Sequence, residues 1–271
     1  MANTLTDDIP DPAETGFADL DDHRIEFMRY AGDETRPALV FLHEGLGSLA
    51  MWRDFPARLA AATGATAIVY SRRGYGNSSP RTGAYDVDYM HREALDILPR
   101  LLDLWAVGRT VLIGHSDGAS IALIHGAEHA LDGIAVMAPH VFVEDICIEA
   151  IEDARETFAA TDLAQRLGRY HADAVHAFRG WNDIWLLPQF RHWNIEEMLG
   201  AIAAPVLAIQ GRLDPYGTMA QLDRIEAAVK GPFTRVELDD CGHSPQRDKP
   251  AQTLAALVKF YDDIATGAPL P

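Results

Sequence analysis

Thr110-Val111-Leu112-Ile113-Gly114-His115-Ser116-Asp117-Gly118-Ala119-Ser120 decides how this chain is read. Thr110 to Ile113 is a short, continuous apolar run, the pattern of a strand buried on both faces of a parallel sheet. The pentapeptide Gly114-x-Ser116-x-Gly118 follows at once, and a helix-like stretch follows that. A serine presented on such a strand-to-helix turn sits in strained backbone and needs small residues two positions to either side. Gly114 and Gly118 supply them. They are symmetric about Ser116 and not about Asp117, so Ser116 is the expected nucleophile. The helix after it points free N–H groups at the site, where they favour developing negative charge. The backbone N–H of Asp117 is therefore an expected oxyanion donor, and His115 is assigned to the substrate wall.

Outward from this stretch the chain alternates two patterns. Ala38–Leu42, Thr66–Tyr70, Ile134–Met137 and Pro205–Ile209 are further buried-strand runs, and Phe233–Leu238 reads as a last strand. Arg24–Tyr30 alternates and suggests an early antiparallel strand. Helical patterns cover Ala50–Ala62, Val87–Trp105, Ser120–Ala130, Met219–Val229 and Gln252–Ile264. Strand alternating with helix implies an α/β fold with right-handed crossovers and a mostly parallel sheet. Residues 140–200 break the rhythm. They hold no good buried strand, but helices and an aromatic segment with Trp181, Trp185 and Trp193. They are read as a helical cap inserted into a core of residues 24–139 and 201–271. Residues 1–23, acidic and rich in turn residues, are read as a loose arm.

A serine hydroxyl is a weak nucleophile until a base removes its proton. His243, in the Gly/Pro-rich loop Asp240-Cys241-Gly242-His243-Ser244-Pro245 after the last strand, is the expected base. Asp214, in Gly211-Arg212-Leu213-Asp214-Pro215, is the expected acid that orients the imidazole. The second oxyanion donor is expected from the loop His43-Glu44-Gly45-Leu46-Gly47-Ser48, at the N–H of Gly45 or alternatively of Leu46. Glu44 and Leu46 join Trp181, Trp185 and Trp193 as expected substrate contacts.

The chain resembles the α/β-hydrolase superfamily from about residue 24 to 265. The resemblance rests on His43–Ser48, Ser71-Arg-Arg-Gly-Tyr-Gly-Asn-Ser78, the turn at 114–118, Gly211–Asp214 and Gly242-His243. It implies an eight-stranded sheet with a helical cap over the serine, and the order Ser, Asp, His is the order of that fold. Its capped members include esterases, carbon–carbon bond hydrolases, lactonases and cofactor-free oxygenases. One departure stands out. Glu44 lies where many members have glycine after His43, which sets it to repel anionic substrates or to bind an amine or hydroxyl, unless it faces solvent.

Composition narrows the partners. With 23 Lys and Arg against 40 Asp and Glu, the formal charge is −17, which disfavours nucleic acid and anionic membrane and leaves a small-molecule substrate. No run approaches the roughly 18 apolar residues of a membrane span. The acidic first residues lack the apolar core of a secretory signal, so a cytoplasmic location is expected. Cys147 and Cys241 read as isolated thiols. His125-Gly-Ala-Glu128-His129 matches a zinc-peptidase pattern, but no third ligand accompanies it and no metal is expected. Gly74-x-Gly76 lacks the rest of a dinucleotide fingerprint, and no cofactor is expected. A homodimer is left open.

The sequence reading is thus a serine hydrolase of carboxylic esters. A carbon–carbon hydrolase or cofactor-free oxygenase on the same residues is the first alternative. A non-catalytic ligand-binding protein on this scaffold is the second.

Overall fold

A computed structural model describes residues 9–267. Its eight strands are β1 (Glu14–Leu20), β2 (His23–Tyr30), β3 (Ala38–Leu42), β4 (Ala67–Tyr70), β5 (Thr110–His115), β6 (Gly133–Met137), β7 (Val206–Gly211) and β8 (Phe233–Leu238). They form one sheet in the order β1-β2-β4-β3-β5-β6-β7-β8. β2 runs antiparallel to β1 and to β4, and every other neighbouring pair is parallel.

The continuous apolar runs are explained by helices on both faces. Along β3, Val40 and Leu42 face one core, while Leu39 and Phe41 face the other. The second core is closed by Leu59 of α1 (Phe55–Thr63) and by Leu254, Leu257 and Phe260 near the chain's end. The first is closed by Tyr89 and Met90 of α2 (Tyr89–Arg92), Leu98 and Leu101 of α3 (Leu98–Leu104), and Ile121 and Ile124 of α4 (Asp117–Glu128). Each large apolar side chain so buried stabilises the fold by about 1.5–3 kcal/mol.

Between β6 and β7 stand α5 (Asp145–Ala160), α6 (Leu163–Leu167), α7 (Ala174–Trp185) and α8 (Glu196–Leu199). After β7 come α9 (Ala220–Ala228), then β8, α10 (Pro245–Asp248) and α11 (Pro250–Thr266). No helix among the described residues is long and apolar enough to cross a membrane.

Three local expectations need correction. The stretch read as a loose arm contains β1, whose register with β2 runs from Glu14↔Arg29 to Leu20↔His23. Only Ala18 and Leu20 of β1 are buried. An edge strand with one shallow apolar face and several charges looks like a loop in sequence. The part of that arm before residue 9 lies outside the described residues. The helix expected over Ala50–Ala62 is split into a 3-10 turn (Leu49–Trp52) and α1, with Arg53 at φ 54° between them. Pro56 suits a helix's first turn, which places the start of α1 beside it. The stretch Val87–Trp105 is helical from Tyr89 to Leu104, but Glu93–Ile97 widens into a π-helix. Pro99 has no N–H to donate and its ring crowds the carbonyl four residues back, a cause of such widening.

Candidate active site

Ser116 stands between β5 and α4 with φ 53° and ψ −117°, a strained backbone for a non-glycine residue. Such strain costs about 1–3 kcal/mol and persists only where the surroundings enforce it. Its own N–H donates to the carbonyl of Met137 at 2.9 Å. A Cβ at Gly118 would overlap the backbone carbonyls of Leu42 and His43, and one at Gly114 would overlap the backbone of Gly118 and Ala119. The turn can pack this tightly only with glycine at both places. The Asp117 N–H opens α4, where helix N–H groups lack intrahelical acceptors. The Asp117 carboxylate is turned into the fold. It accepts from the Tyr89 hydroxyl at 2.5 Å and from Trp185 Nε1 at 3.2 Å, and the Arg72 guanidinium lies 3.8 Å away. Burial raises its pKa, and Arg72 opposes that rise.

At the same edge of the sheet, the loops after β7 and β8 bring Asp214 and His243 together. His243 Nδ1 lies 2.8 and 2.9 Å from the two Asp214 carboxylate oxygens. Asp214 also accepts from Gln210 Nε2 at 2.8 Å and from the Tyr216 N–H at 2.8 Å. Burial opposes ionisation of Asp214, but the attraction of His243 outweighs it and holds the carboxyl below its usual range. With Nδ1 committed to Asp214, Nε2 is the nitrogen left for proton transfer. Among the described residues no hydrogen bond joins the Ser116 hydroxyl to this imidazole. Both nevertheless line one cavity, and such bonds are commonly long before substrate binds.

The loop after β3 is held by Arg72, a buried residue just beyond β4. Its guanidinium donates to the carbonyls of His43 and Glu44, each at 3.0 Å. Its N–H donates to His43 Nε2 at 3.0 Å, and His43 Nδ1 donates to the Glu44 carbonyl at 2.7 Å. With those carbonyls tied down on one side, Gly45 and Leu46 present themselves to the cavity. A side chain at Gly45 would overlap Trp181, so glycine is required there too. The Glu44 carboxylate also lines the cavity, 3.4 Å from His115 Nδ1. Burial opposes its ionisation, yet His115 and His43 prevail and lower its pKa to about 2.

The cavity has a volume of about 210 Å³. Ser116, His243, Glu44, Gly45, Leu46, Trp181 and Trp185 line it. Two assigned contacts lie elsewhere. Trp193 is stacked on Phe190 with ring centres 5.6 Å apart, inside the hydrophobic core. His115 is buried behind the site, where Nε2 donates to the His243 carbonyl at 2.6 Å. Six wall residues escaped the sequence reading, namely His140, Cys147, Ile151, Tyr216, Ser244 and Arg247, as did the orienting residues Arg72 and Gln210. The one visible signal for Arg72 was a charged residue two positions beyond a buried strand run. His125 and His129 lie at the far end of α4, their rings stacked at 4.5 Å, with His125 Nδ1 donating to the Ala94 carbonyl.

Comparison with known proteins agrees with this architecture. Residues 39–257 match the model of the alpha/beta hydrolase family. Epoxide hydrolase A of Mycobacterium tuberculosis (strain ATCC 25618 / H37Rv) is 35% identical over 76 residues, 27% of this chain and 24% of that protein. The sn-1-specific diacylglycerol lipase ABHD11 of Mus musculus is 29% identical over 107 residues, 40% of this chain and 33% of that protein. The chain thus matches only about a quarter to a third of the length of these curated relatives. A carboxylesterase structure from the thaumarchaeon Nitrososphaera gargenis superposes with a TM-score of 0.76 at 20% identity, covering 93% of this chain and all of that one. The family match spans most of the chain, including the serine turn and the His243 loop, and the chain belongs to the alpha/beta hydrolase family.

Proposed function

We propose that this protein is a serine hydrolase that cleaves a carboxylic ester of a small-to-medium, largely apolar substrate. The observation that carries this reading is the strained Ser116 and the hydrogen-bonded His243–Asp214 pair lining one cavity. His243 takes the Ser116 proton through Nε2, and Ser116 attacks the ester carbonyl. Asp214 keeps the imidazole in the required tautomer and stabilises its cation. The N–H groups of Asp117 and of Gly45, or alternatively Leu46, hold the oxyanion, each contributing about 3 kcal/mol to the transition state. The alcohol leaves with the proton from His243. Water, deprotonated by the same imidazole, then hydrolyses the acyl-enzyme.

A competing reading of the same turn makes Asp117, one position along, the nucleophile. The strained backbone here belongs to Ser116, while the Asp117 carboxylate is occupied by Tyr89 and Trp185. This favours serine chemistry. In this reading α5 and α7 act as the cap, and Cys147, Ile151, Trp181 and Trp185 form its apolar wall. A cavity below the roughly 300 Å³ of drug-sized sites favours short acyl groups. The Glu44 carboxylate disfavours anionic ones.

Nitrophenyl acyl esters from acetyl to octanoyl test the proposal. Wild type should turn them over with a short-chain optimum, and Ser116→Ala should be at least a thousandfold slower. Equal rates for the two proteins would reject it.

A further inference from the structure

Glu44 plays no part in the acyl-transfer scheme, yet it stands where two cavities meet. One is the catalytic cavity. The other, of about 180 Å³, lies against the 3-10 turn, the start of α1 and α10. Glu44, Ser244 and Arg247 line both, while Trp52, Arg53, Asp54 and Gln246 belong to the second. The Glu44 side chain is 22% exposed, so a bound molecule can reach it.

The carboxylate is short of donors. Apart from its own N–H, its one polar contact among the described residues is His115 Nδ1 at 3.4 Å. His115 Nε2 carries the proton donated to the His243 carbonyl. In the neutral ring Nδ1 is then an acceptor, filled by Gln246 Nε2 at 3.1 Å, and offers Glu44 nothing. Arg247 lies 3.7 Å from Asp248 and is not paired with Glu44. An ionised carboxylate accepts at about four sites, so most of these are open to a ligand.

The second cavity carries charges of both signs. Asp54 is bonded to Arg58 Nε at 2.7 Å, which leaves Glu44 to face Arg53 and Arg247. An ammonium group there meets two guanidinium groups, and an anion meets Glu44. A hydroxyl suits both, since it donates to a carboxylate and accepts from a guanidinium. The position fits the leaving alcohol. That alcohol takes its proton from His243, and Ser244, Gln246 and Arg247, just beyond His243 in the chain, line the second cavity. The apolar cap end is left for the acyl group.

We infer that Glu44 is a specificity residue that accepts a hydrogen bond from a free hydroxyl on the leaving alcohol, with Arg247 donating to the same oxygen. The site then takes monoesters of diols and polyols in preference to esters of plain alcohols. This rests on the ester-hydrolase reading above. A site built to pair with a substrate hydroxyl discriminates strongly against the analogue that lacks it, because its own polar groups are then left unpaired.

The test compares 2-hydroxyethyl butyrate with propyl butyrate, followed by acid release, with butyrylcholine as the cationic control. Wild type should show kcat/KM higher by about tenfold or more for the hydroxy ester than for either of the others. The ratio of hydroxyethyl to propyl ester should fall to about one in Glu44→Leu and recover partly in Glu44→Gln, whichever way the absolute rates move. In parallel, N-(2-hydroxyethyl)butyramide and N-propylbutyramide are titrated into Ser116→Ala protein, with binding followed by the tryptophan indole N–H resonances. The hydroxy amide should bind about tenfold more tightly and shift the Trp52 signal. That advantage should vanish in the Ser116→Ala/Glu44→Leu protein. A wild-type ratio near one, a preference that survives Glu44→Leu, or a faster reaction with butyrylcholine overturns the inference. If wild type turns over none of the esters, the hydrolase reading fails, and the amide titration alone decides the role of Glu44, equal binding of the two amides rejecting it.

Discussion

His115 Nε2 donates to the backbone carbonyl of His243 at 2.6 Å, so the residue before the proposed nucleophile holds the loop that carries the proposed base. The two rings lie 5.2 Å apart. The bond spans 128 positions in sequence and joins the ends of β5 and β8 in space. It fixes the imidazole on the backbone side as Asp214 fixes it at Nδ1. Replacing His115 by leucine frees the carbonyl and the loop. A displacement near 1 Å at a reacting group can cost about a hundredfold in rate. His115→Leu should therefore lower kcat on a nitrophenyl ester by about 10- to 100-fold with little change in KM. His115→Gln, which retains a donor, should recover part of it. Steady-state kinetics separates the two constants.

Arg72 is a structural keystone with a catalytic consequence. It fastens the carbonyls of His43 and Glu44 and stands 3.8 Å from the buried Asp117 carboxylate. Removing one partner of a buried ion pair leaves an uncompensated charge and costs about 3–5 kcal/mol. Arg72→Ala should lose about that much in urea unfolding. Arg72→Lys, which keeps the charge without the planar fork, should recover some stability but still turn over at least tenfold more slowly.

The serine turn should be intolerant of a single methyl group. A Cβ at Gly118 would collide with backbone carbonyls that have no room to retreat, whereas one at Gly108 would meet nothing within 4 Å. Gly118→Ala should fail to yield folded protein or lose several kcal/mol. Gly108→Ala should stay within about 0.5 kcal/mol of wild type, as surface substitutions usually do. Soluble yield and thermal melting of the pair report this directly.

Acidification should destabilise the fold through its histidines. His43, His91, His125, His140 and His171 all have pKa values below 6.5, with burial the largest cause in each. A histidine that stays neutral when folded but gains a proton when unfolded favours the unfolded state. Its effect is absent above the unfolded pKa near 6.5 and grows as pH falls towards the folded value. Asp117 and Glu93 act oppositely, since burial raises their pKa values. A single-site comparison isolates the histidine effect. His125, lowered to about 4 and remote from the cavity, is suited to it. Stability measured by urea unfolding should drop between pH 7.5 and 5, and the drop should be smaller in His125→Gln.

The buried strands and the serine turn were readable because their signals are local. β3 and β6 and most of β5 and β7 are apolar runs, and the two glycines frame Ser116 within five residues. What escaped depends on contacts made only after folding. β1 pairs its exposed, charged residues with β2, and nothing in its own composition announces that. Trp181 and Trp193 look alike in sequence, yet one lines the cavity and the other stacks on Phe190 in the core. His140 gains its position from Ser120 and Gln221, residues in two other helices or their flanks. His115 was read as a wall residue, but it packs against the His243 loop, a contact made only once β5 and β8 are brought together.

Covalent labelling by a fluorophosphonate probe reads out whether Ser116 is the activated nucleophile. One adduct is expected, mapped by mass spectrometry to the peptide containing Ser116, absent in Ser116→Ala and formed at least a hundredfold more slowly in His243→Ala. No adduct on wild type, or an adduct on another residue that persists in Ser116→Ala, would contradict it.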